Sequence, residues 1–282
     1  VSGILEALGN QIPSLSRKLA QAARFVVDHP ETVALESMRG VARQSRVSAP
    51  TLQRLAQTLG YADYRELRAQ LQQELLGNGF GSRAQALSQA GDDTLLARIV
   101  TAAHGNLDAA LADNDSATLK TMARHLRDAR TAWVIAGSGA IHGFAAGFVS
   151  AGSLILPQLR LVPDSIALTI DALANIGPED AMLAIGVTPC ARLTTEAMDV
   201  AGARGTRLLA LTDRRSSPLA QRAALSLHAG TDSPHYYPST IGLTLLGEAL
   251  LATLAASGGQ ASLERIRRIE ALRKQSGAYI EH

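Results

Sequence analysis

The chain has 282 residues, 46% of them hydrophobic and 18% charged, with a formal net charge of +2 and one cysteine. That length exceeds one small core and suits two domains, and no apolar run approaches the roughly 20 residues that span a bilayer. A lone cysteine excludes an intrachain disulfide and an all-thiolate zinc site, and so small a net charge does not by itself announce nucleic acid or an anionic membrane.

The opening stretch, VSGILEALGNQIPSLSRKLA, carries polar residues every few positions and no basic leader ahead of an apolar block. No secretion signal is expected, and the expected location is cytoplasmic. Leu15, Leu19, Ala22, Ala23, Val26 and Val27 then fall at helical spacing, and the helix they predict ends at His29-Pro30. Further helices are expected in ESMRGVARQS, SAPTLQRLAQTLG and DYRELRAQLQQELL, with Gly40, Gly60 and Gly77 near the joins. The Gly, Ser and Ala-rich segment that follows predicts a linker over 78–90, between a first domain at 1–77 and a second at 91–282.

Beyond that boundary, DTLLARIVTAAHGNLDAALA and DSATLKTMARHLRDA read as two amphipathic helices. Five short apolar runs follow: TAWVIAG, LRLV, DAMLAIG, TRLLALT and ALSLHA. Most lead through a small-residue turn into a helical stretch, the pattern of a parallel sheet covered on both faces. An apolar helix around STIGLTLLGEALLATLAASG and a basic one, SLERIRRIEALRKQ, close the chain.

The most specific stretch is VARQSRVSAPTLQRLAQTLGY, Val41 to Tyr61. It has the form of a helix-turn-helix, with Ser48 as N-cap of the second helix and Pro50 in its first turn. Leu52, Leu55 and Leu59 mark the core face, while Thr51, Gln53, Arg54 and Gln57 mark the opposite one. Arg39, Arg43, Arg46 and Arg54 lie in a window, 37–62, without Asp or Glu. Cations there would neutralise phosphates and the start of the second helix would meet base edges, which makes Arg43, Arg46, Ser48, Thr51, Gln53 and Arg54 candidates for contact with double-stranded DNA. Geometry alone equally allows a helical bundle with a solvated basic face.

The segment resembles the amino-terminal helix-turn-helix of the RpiR family of bacterial transcriptional regulators, through Ala42, Val47, Ser48, Thr51, Arg54, Leu59, Gly60, Tyr61 and Tyr64. The resemblance implies an all-α helix-turn-helix domain followed by an α/β SIS domain, a sugar-phosphate-binding module with a five-stranded parallel sheet flanked by helices. It also implies a small anionic effector, a sugar phosphate or related acid. Two reading heads on a palindromic operator strengthen one another, so a homodimer or homotetramer is expected.

In the second half, WVIAGSGAIHGF runs from strand through a glycine turn into helix, where Gly137 and Gly139 allow backbone amides to face an anion. The corresponding SIS loop carries a serine two residues after the second glycine. Ile141 stands there in this chain, leaving Ser138 and His142 as the polar candidates. The third strand of SIS domains ends in a Ser-x-Ser-Gly-x-Thr loop. By that resemblance Gly186 replaces the first serine, Thr188 the second, and Thr194 matches the threonine. Arg192 would add a charge-assisted contact, whereas Thr194 could instead cap its helix. The segment SPHYYPSTIG lies near the ligand in the family, which adds His235, Tyr236, Ser239 and Thr240.

Sugar isomerases share this fold, so a sugar-phosphate isomerase with an accessory helical domain is the alternative. No catalytic residue is assigned, because Glu196 and Glu248 read as ordinary helix positions and His142 and His235, in or beside loops, come without a recognisable partner. Cys190 reads as a half-buried thiol, the histidines lack metal-ligand spacing, and no cofactor is expected.

Overall fold

The computed structural model describes residues 4–75, 80–90, 94–163 and 169–278. The chain divides into two units, Val1–Ala90 and Gly91–His282.

The first unit is helical: α1 (Ile4–Gln11), a single turn at Ile12–Ser14, α2 (Arg17–Asp28), α3 (Pro30–Leu35), α4 (Met38–Ser45), α5 (Ala49–Thr58), α6 (Tyr64–Leu75) and α7 (Phe80–Ala90). Leu8, Val26, Val33, Val41, Leu52, Leu55, Leu67 and Leu71 are buried together, one stripe from each of α1 to α6. Fully burying such a side chain contributes about 1.5–3 kcal/mol, so this shared core holds short helices that would be marginal alone. Three features depart from expectation. Gly40 lies inside α4 rather than at a join, and Pro30 opens α3 as well as ending α2. The segment expected as a linker is helical over Phe80–Ala90. Its Gly, Ser and Ala content suggested a linker, but Arg83 to Ala90 contains good helix formers and no glycine or proline.

The second unit begins with α8 (Leu95–Asp113) and α9 (Ser116–Asp128) and continues β1 (Ala132–Ile135), α10 (Gly139–Gly152), β2 (Leu159–Val162), α11 (Thr169–Ala172), β3 (Ala181–Ile185) and α12 (Arg192–Ala203). Then come β4 (Arg207–Thr212), α13 (Pro218–Arg222), β5 (Leu225–His228), α14 (Ile241–Ser257) and α15 (Gly259–Gln275). All five strands are parallel, in the order β2-β1-β3-β4-β5. Because successive strand residues face opposite ways, Leu183, Ile185, Leu209 and Leu211 join the core under α9, α10 and α14. Met182, Ala184 and Ala210 join the other core, under α12 and α13. Among the described residues no single helix is long and apolar enough to cross a membrane.

Two asparagines hold the backbone at the end of β5 and just beyond it. The Asn114 amide donates to the His228 carbonyl at 2.7 Å and its oxygen accepts from the His228 N–H at 2.8 Å. Asn106, from within α8, makes the same double bond with the backbone of Asp232. Each amide mimics a peptide unit, and Asn114 satisfies groups on the edge of β5 that would otherwise be buried unpaired.

His228 itself is buried, with Nε2 at 3.1 Å from Ser226 Oγ and no partner for Nδ1 among the described residues. Burial, and then the charge of Arg215, lower its pKa against the opposing pull of Asp113 and Asp213. The unfolded chain therefore takes up a proton here first, and stability falls as pH drops below about 6.5 toward the lowered folded value. The thermal midpoint is expected to fall between pH 7 and pH 5, and His228→Gln to flatten that slope. An unchanged slope in the variant would refute the assignment to His228.

Candidate functional site

In the first unit the candidate residues cluster on the α4–turn–α5 segment. Ser48 caps α5, its Oγ accepting from the Thr51 N–H at 3.3 Å and lying 2.8 Å from Thr51 Oγ1. Leu52, Leu55 and Ala56 are buried, which turns Arg54 and Gln57 outward; Arg43, Arg46 and Ser48 are exposed as well. From α2, Gln21 Nε2 donates to the Ser45 carbonyl at 3.0 Å and so holds the turn against the bundle.

Gln53 departs from this set. Its Oε1 accepts the Tyr64 N–H at 3.1 Å, so the side chain caps the start of α6 rather than facing outward with Arg54. Arg46, at the turn, is the single non-glycine residue with positive φ among those described, at 54°. An L side chain there costs roughly 1–2 kcal/mol, and glycine's own entropic cost is about 0.5–1 kcal/mol. Arg46→Gly is thus expected to stabilise this unit by about 0.5–1 kcal/mol in a urea titration; a destabilisation would show that the side chain itself supports the turn.

In the second unit the strand order reverses between β1 and β3, and a crevice forms outside the carboxyl ends of strands diverging at such a point. The β1–α10 and β3–α12 turns flank it. Gly137 donates its N–H to Thr194 Oγ1 at 2.9 Å and ties the two turns together. Thr194 is buried and makes no N-cap bond for α12; it serves as this cross-link rather than as an open hydroxyl. A Cβ on Gly137 would lie 2.8 Å from Thr194 Oγ1 and 2.9 Å from Ala191 Cβ. Gly137→Ala is therefore expected to cost about 1–3 kcal/mol, measured by denaturation; a neutral result would mean that the turns separate freely.

Ser138 precedes α10 without a side-chain capping bond, and Gly139 stands exposed with nothing within 4 Å of a built Cβ. His142 Nδ1 lies 3.2 Å from the Ala136 carbonyl. That oxygen can only accept, so Nδ1 carries the proton and Nε2 presents a lone pair in the neutral ring. The two departures from the SIS loops have packing reasons. Ile141 is buried in the core under α10, and at Gly186 a Cβ would lie 2.9 Å from Leu219 Cδ1.

Arg192, the first residue of α12, is largely exposed and ion-paired with Glu196 at 2.6 Å. Thr188 is bound from the neighbouring strand's exit: its Oγ1 accepts from Arg214 Nη2 at 2.7 Å and its N–H donates to Asp213 Oδ2 at 3.2 Å. Burial, and then the charge of Asp213, push the half-buried Cys190 thiol up to about 11, so it is no thiolate nucleophile near neutral pH. His235 and Ser239 make local bonds. His235 Nδ1 accepts the Tyr237 N–H at 3.1 Å, its ring packs at a tilt of 38° against the exposed Tyr236 with centroids 4.2 Å apart, and Ser239 Oγ accepts the Ile241 N–H at the start of α14. Thr240 flanks α14 without a capping bond. Among the described residues, no group of three or more His, Cys, Asp or Glu side chains is arranged to hold a metal ion.

Sequence reasoning missed Asp213 and Arg214. The signal was present, as two charges directly after an apolar strand in a parallel sheet, where ligand-facing ends gather.

Comparison with known proteins agrees with both halves. Residues 2–77 match the helix-turn-helix domain of the rpiR family, and residues 125–256 match the SIS domain. The chain is 25% identical over 253 residues to the HTH-type transcriptional regulator HexR of Pseudomonas aeruginosa, covering 85% of this chain and 84% of that one. The Vibrio vulnificus NanR protein complexed with ManNAc-6P superposes with a TM-score of 0.61 at 20% identity, over 96% of this chain and 98% of that one. The sugar isomerase domain of an RpiR transcription factor from Sphaerobacter thermophilus gives 0.57 at 24% identity, over 64% and 99%. The chain belongs to the RpiR family, with a helix-turn-helix domain followed by a SIS domain.

Proposed function

We propose that this protein is a DNA-binding transcriptional regulator whose operator binding is modulated by a small anionic metabolite held in the SIS domain. The observation that carries the reading is the helix-turn-helix face. A Ser48-capped α5 turns Arg54 outward beside the exposed Arg43 and Arg46, and the whole 37–62 window lacks acidic residues. Such a face neutralises phosphates and brings one side chain to base edges.

For the effector, the crevice between the β1 and β3 turns supplies Ser138, the amide of Gly139, His142 Nε2 and Thr188, with Arg192 at its rim. Donors for an anion beside the His142 Nε2 lone pair, which can accept from a hydroxyl, suit an anion that also carries hydroxyls, such as a sugar phosphate or sugar acid. The complex of NanR with ManNAc-6P is a precedent for that class in a protein of this architecture. Differential affinity of the effector for two arrangements of a homodimer or homotetramer would supply the switch.

No catalytic step is proposed. Glu196 is engaged with Arg192 on the surface, and His142 directs Nδ1 to a carbonyl. A gel-shift titration with DNA fragments flanking the protein's own gene tests the reading. A sequence-selective, salt-sensitive shift released by a phosphosugar or sugar acid is expected. Absence of any selective shift, or turnover of an aldose or ketose phosphate, would overturn it.

A further inference from the structure

We propose that α2 is a second DNA-contacting element, in which Arg17 and Arg24 hold backbone phosphates at the rim of the groove that α5 reads. This rests on the DNA-binding reading above and names a surface that the 37–62 window leaves out.

The cations of α2 share a face with the residue that touches the turn. Arg17, Gln21, Arg24 and Asp28 follow at intervals of four, three and four residues, which sets them in one row along the helix. Gln21 fixes where that row lies, because its Nε2 donates to the Ser45 carbonyl at 3.0 Å, three residues ahead of Ser48, the N-cap of α5. The row therefore runs beside the end of α5 that meets base edges. Arg17 and Arg24 are exposed, as are Arg43 and Arg46 across from them.

Between α2 and the turn lies a cleft of about 230 Å³, lined by Arg24 from one side and Arg46 from the other. The half-buried rings of Phe25 and His29, with centroids 4.7 Å apart, line it too. An anion seated against those rings loses part of its water, so the pull of two guanidinium groups is screened less than on an open surface. Asp28 also lines the cleft and opposes them, which leaves the guanidinium groups ahead by one charge.

Charge along the chain points to a polyanion. Residues 7–27 contain Arg17, Lys18 and Arg24 and no Asp or Glu. With 37–62 this makes two basic windows free of acids, and Gln21 joins them at the turn. A row of cations suits a row of phosphates better than one small metabolite. Arg17 and Arg24 stand about 10 Å apart along the axis, enough to meet separate phosphates.

The test is a quantitative gel shift of the full chain over a salt series, on a fragment flanking its own gene and on a random duplex of equal length. Arg24→Gln should weaken both complexes by about three- to tenfold and lower the slope of log affinity against log salt by about one. Adding Arg17→Gln should lower the slope by about one more, and Arg24→Lys, which keeps a point charge, should restore it. Asp28→Asn removes the opposing charge and should tighten both complexes by about two- to threefold. Arg124→Gln, an exposed cation of α9, should leave affinity and slope as in wild type. A cooperative melt matching wild type verifies that each variant is folded.

An unchanged slope in the Arg17→Gln, Arg24→Gln double variant, or weaker binding in Asp28→Asn, would overturn the proposal. So would a loss in Arg24→Gln confined to the specific fragment, which marks a base contact. Release by a phosphosugar that disappears in Arg24→Gln while affinity and slope are kept would assign the cleft to a free anion instead. If Arg54→Ala weakens binding and the α2 variants do not, α2 alone is struck, whereas a wild type that shifts no fragment selectively removes the DNA reading itself.

Discussion

Replacing Asp180 by alanine is expected to destabilise the second unit by about 3 kcal/mol, near the lower end of what removing one partner from a buried pair costs. Asp180 is 2% exposed and stands immediately before β3. Its Oδ1 accepts from Arg130 Nε at 3.0 Å and from the Thr131 N–H at 3.2 Å. Its Oδ2 accepts from Arg130 Nη2 at 2.7 Å and from the Gly177 N–H at 2.9 Å. One carboxylate thus ties the start of β1 to the start of β3, the two strands whose opposite ends flank the crevice. In the alanine variant two amides lose their acceptor, but Arg130 is half exposed and can rehydrate, which is why the lower end applies. For a unit of this size about 3 kcal/mol lowers the thermal midpoint by roughly 6–12 °C.

The same group gives an acid limb of defined sign. Burial pushes the Asp180 carboxyl up, yet Arg130 and the Gly177 and Thr131 amides outweigh it and hold it below the usual carboxylate range. Its contribution is present in full above the unfolded value of about 4 and is lost as pH falls through the folded one. Asp180→Ala should therefore lose stability at neutral pH and show a shallower decline below pH 4. A midpoint within 2 °C of wild type at pH 7 would show that the clamp contributes nothing net.

Legibility in the sequence followed what is local and what is not. All five strands were visible because each is a short, largely apolar run, the central β3 apolar on both faces, and α8, α9, α14 and α15 were visible from length and period. The short helices α1 and α3 were not singled out, since neither offers the side-chain N-cap that marked the comparably short α4 at Ser37, and the shared core decides their state. At the sites, Ser48 and the exposed arginines could be read because capping and helical facing are local rules. Gln53 and Thr194 could not, because their partners lie 11 and 57 residues away. Arg192 drew attention as a charge in the right loop. Arg214 did not, since only the register of β3 against β4 brings its loop beside Thr188.

Arg54→Ala is expected to weaken operator binding by about 1–3 kcal/mol, or roughly 5- to 150-fold, and to relax discrimination at one base pair of each half-site. The buried Leu52 and Leu55 fix the rotation of α5, so Arg54 must project from the opposite side. Arg43, exposed in the last turn of α4, sits where a first helix meets the DNA backbone. Arg43→Ala should weaken binding to all sequences alike and lower the slope of log affinity against log salt by about one. Gln53→Ala separates reading from folding. It removes the acceptor for the Tyr64 N–H, so it should cost about 1 kcal/mol of stability while leaving base discrimination as in wild type. Quantitative gel shifts over a salt series, on a consensus operator and its single-base variants, distinguish the three. If Arg54→Ala matches wild type on every variant, α5 is not the reading helix; if Gln53→Ala alone relaxes discrimination, the face of α5 toward α6 meets the bases instead.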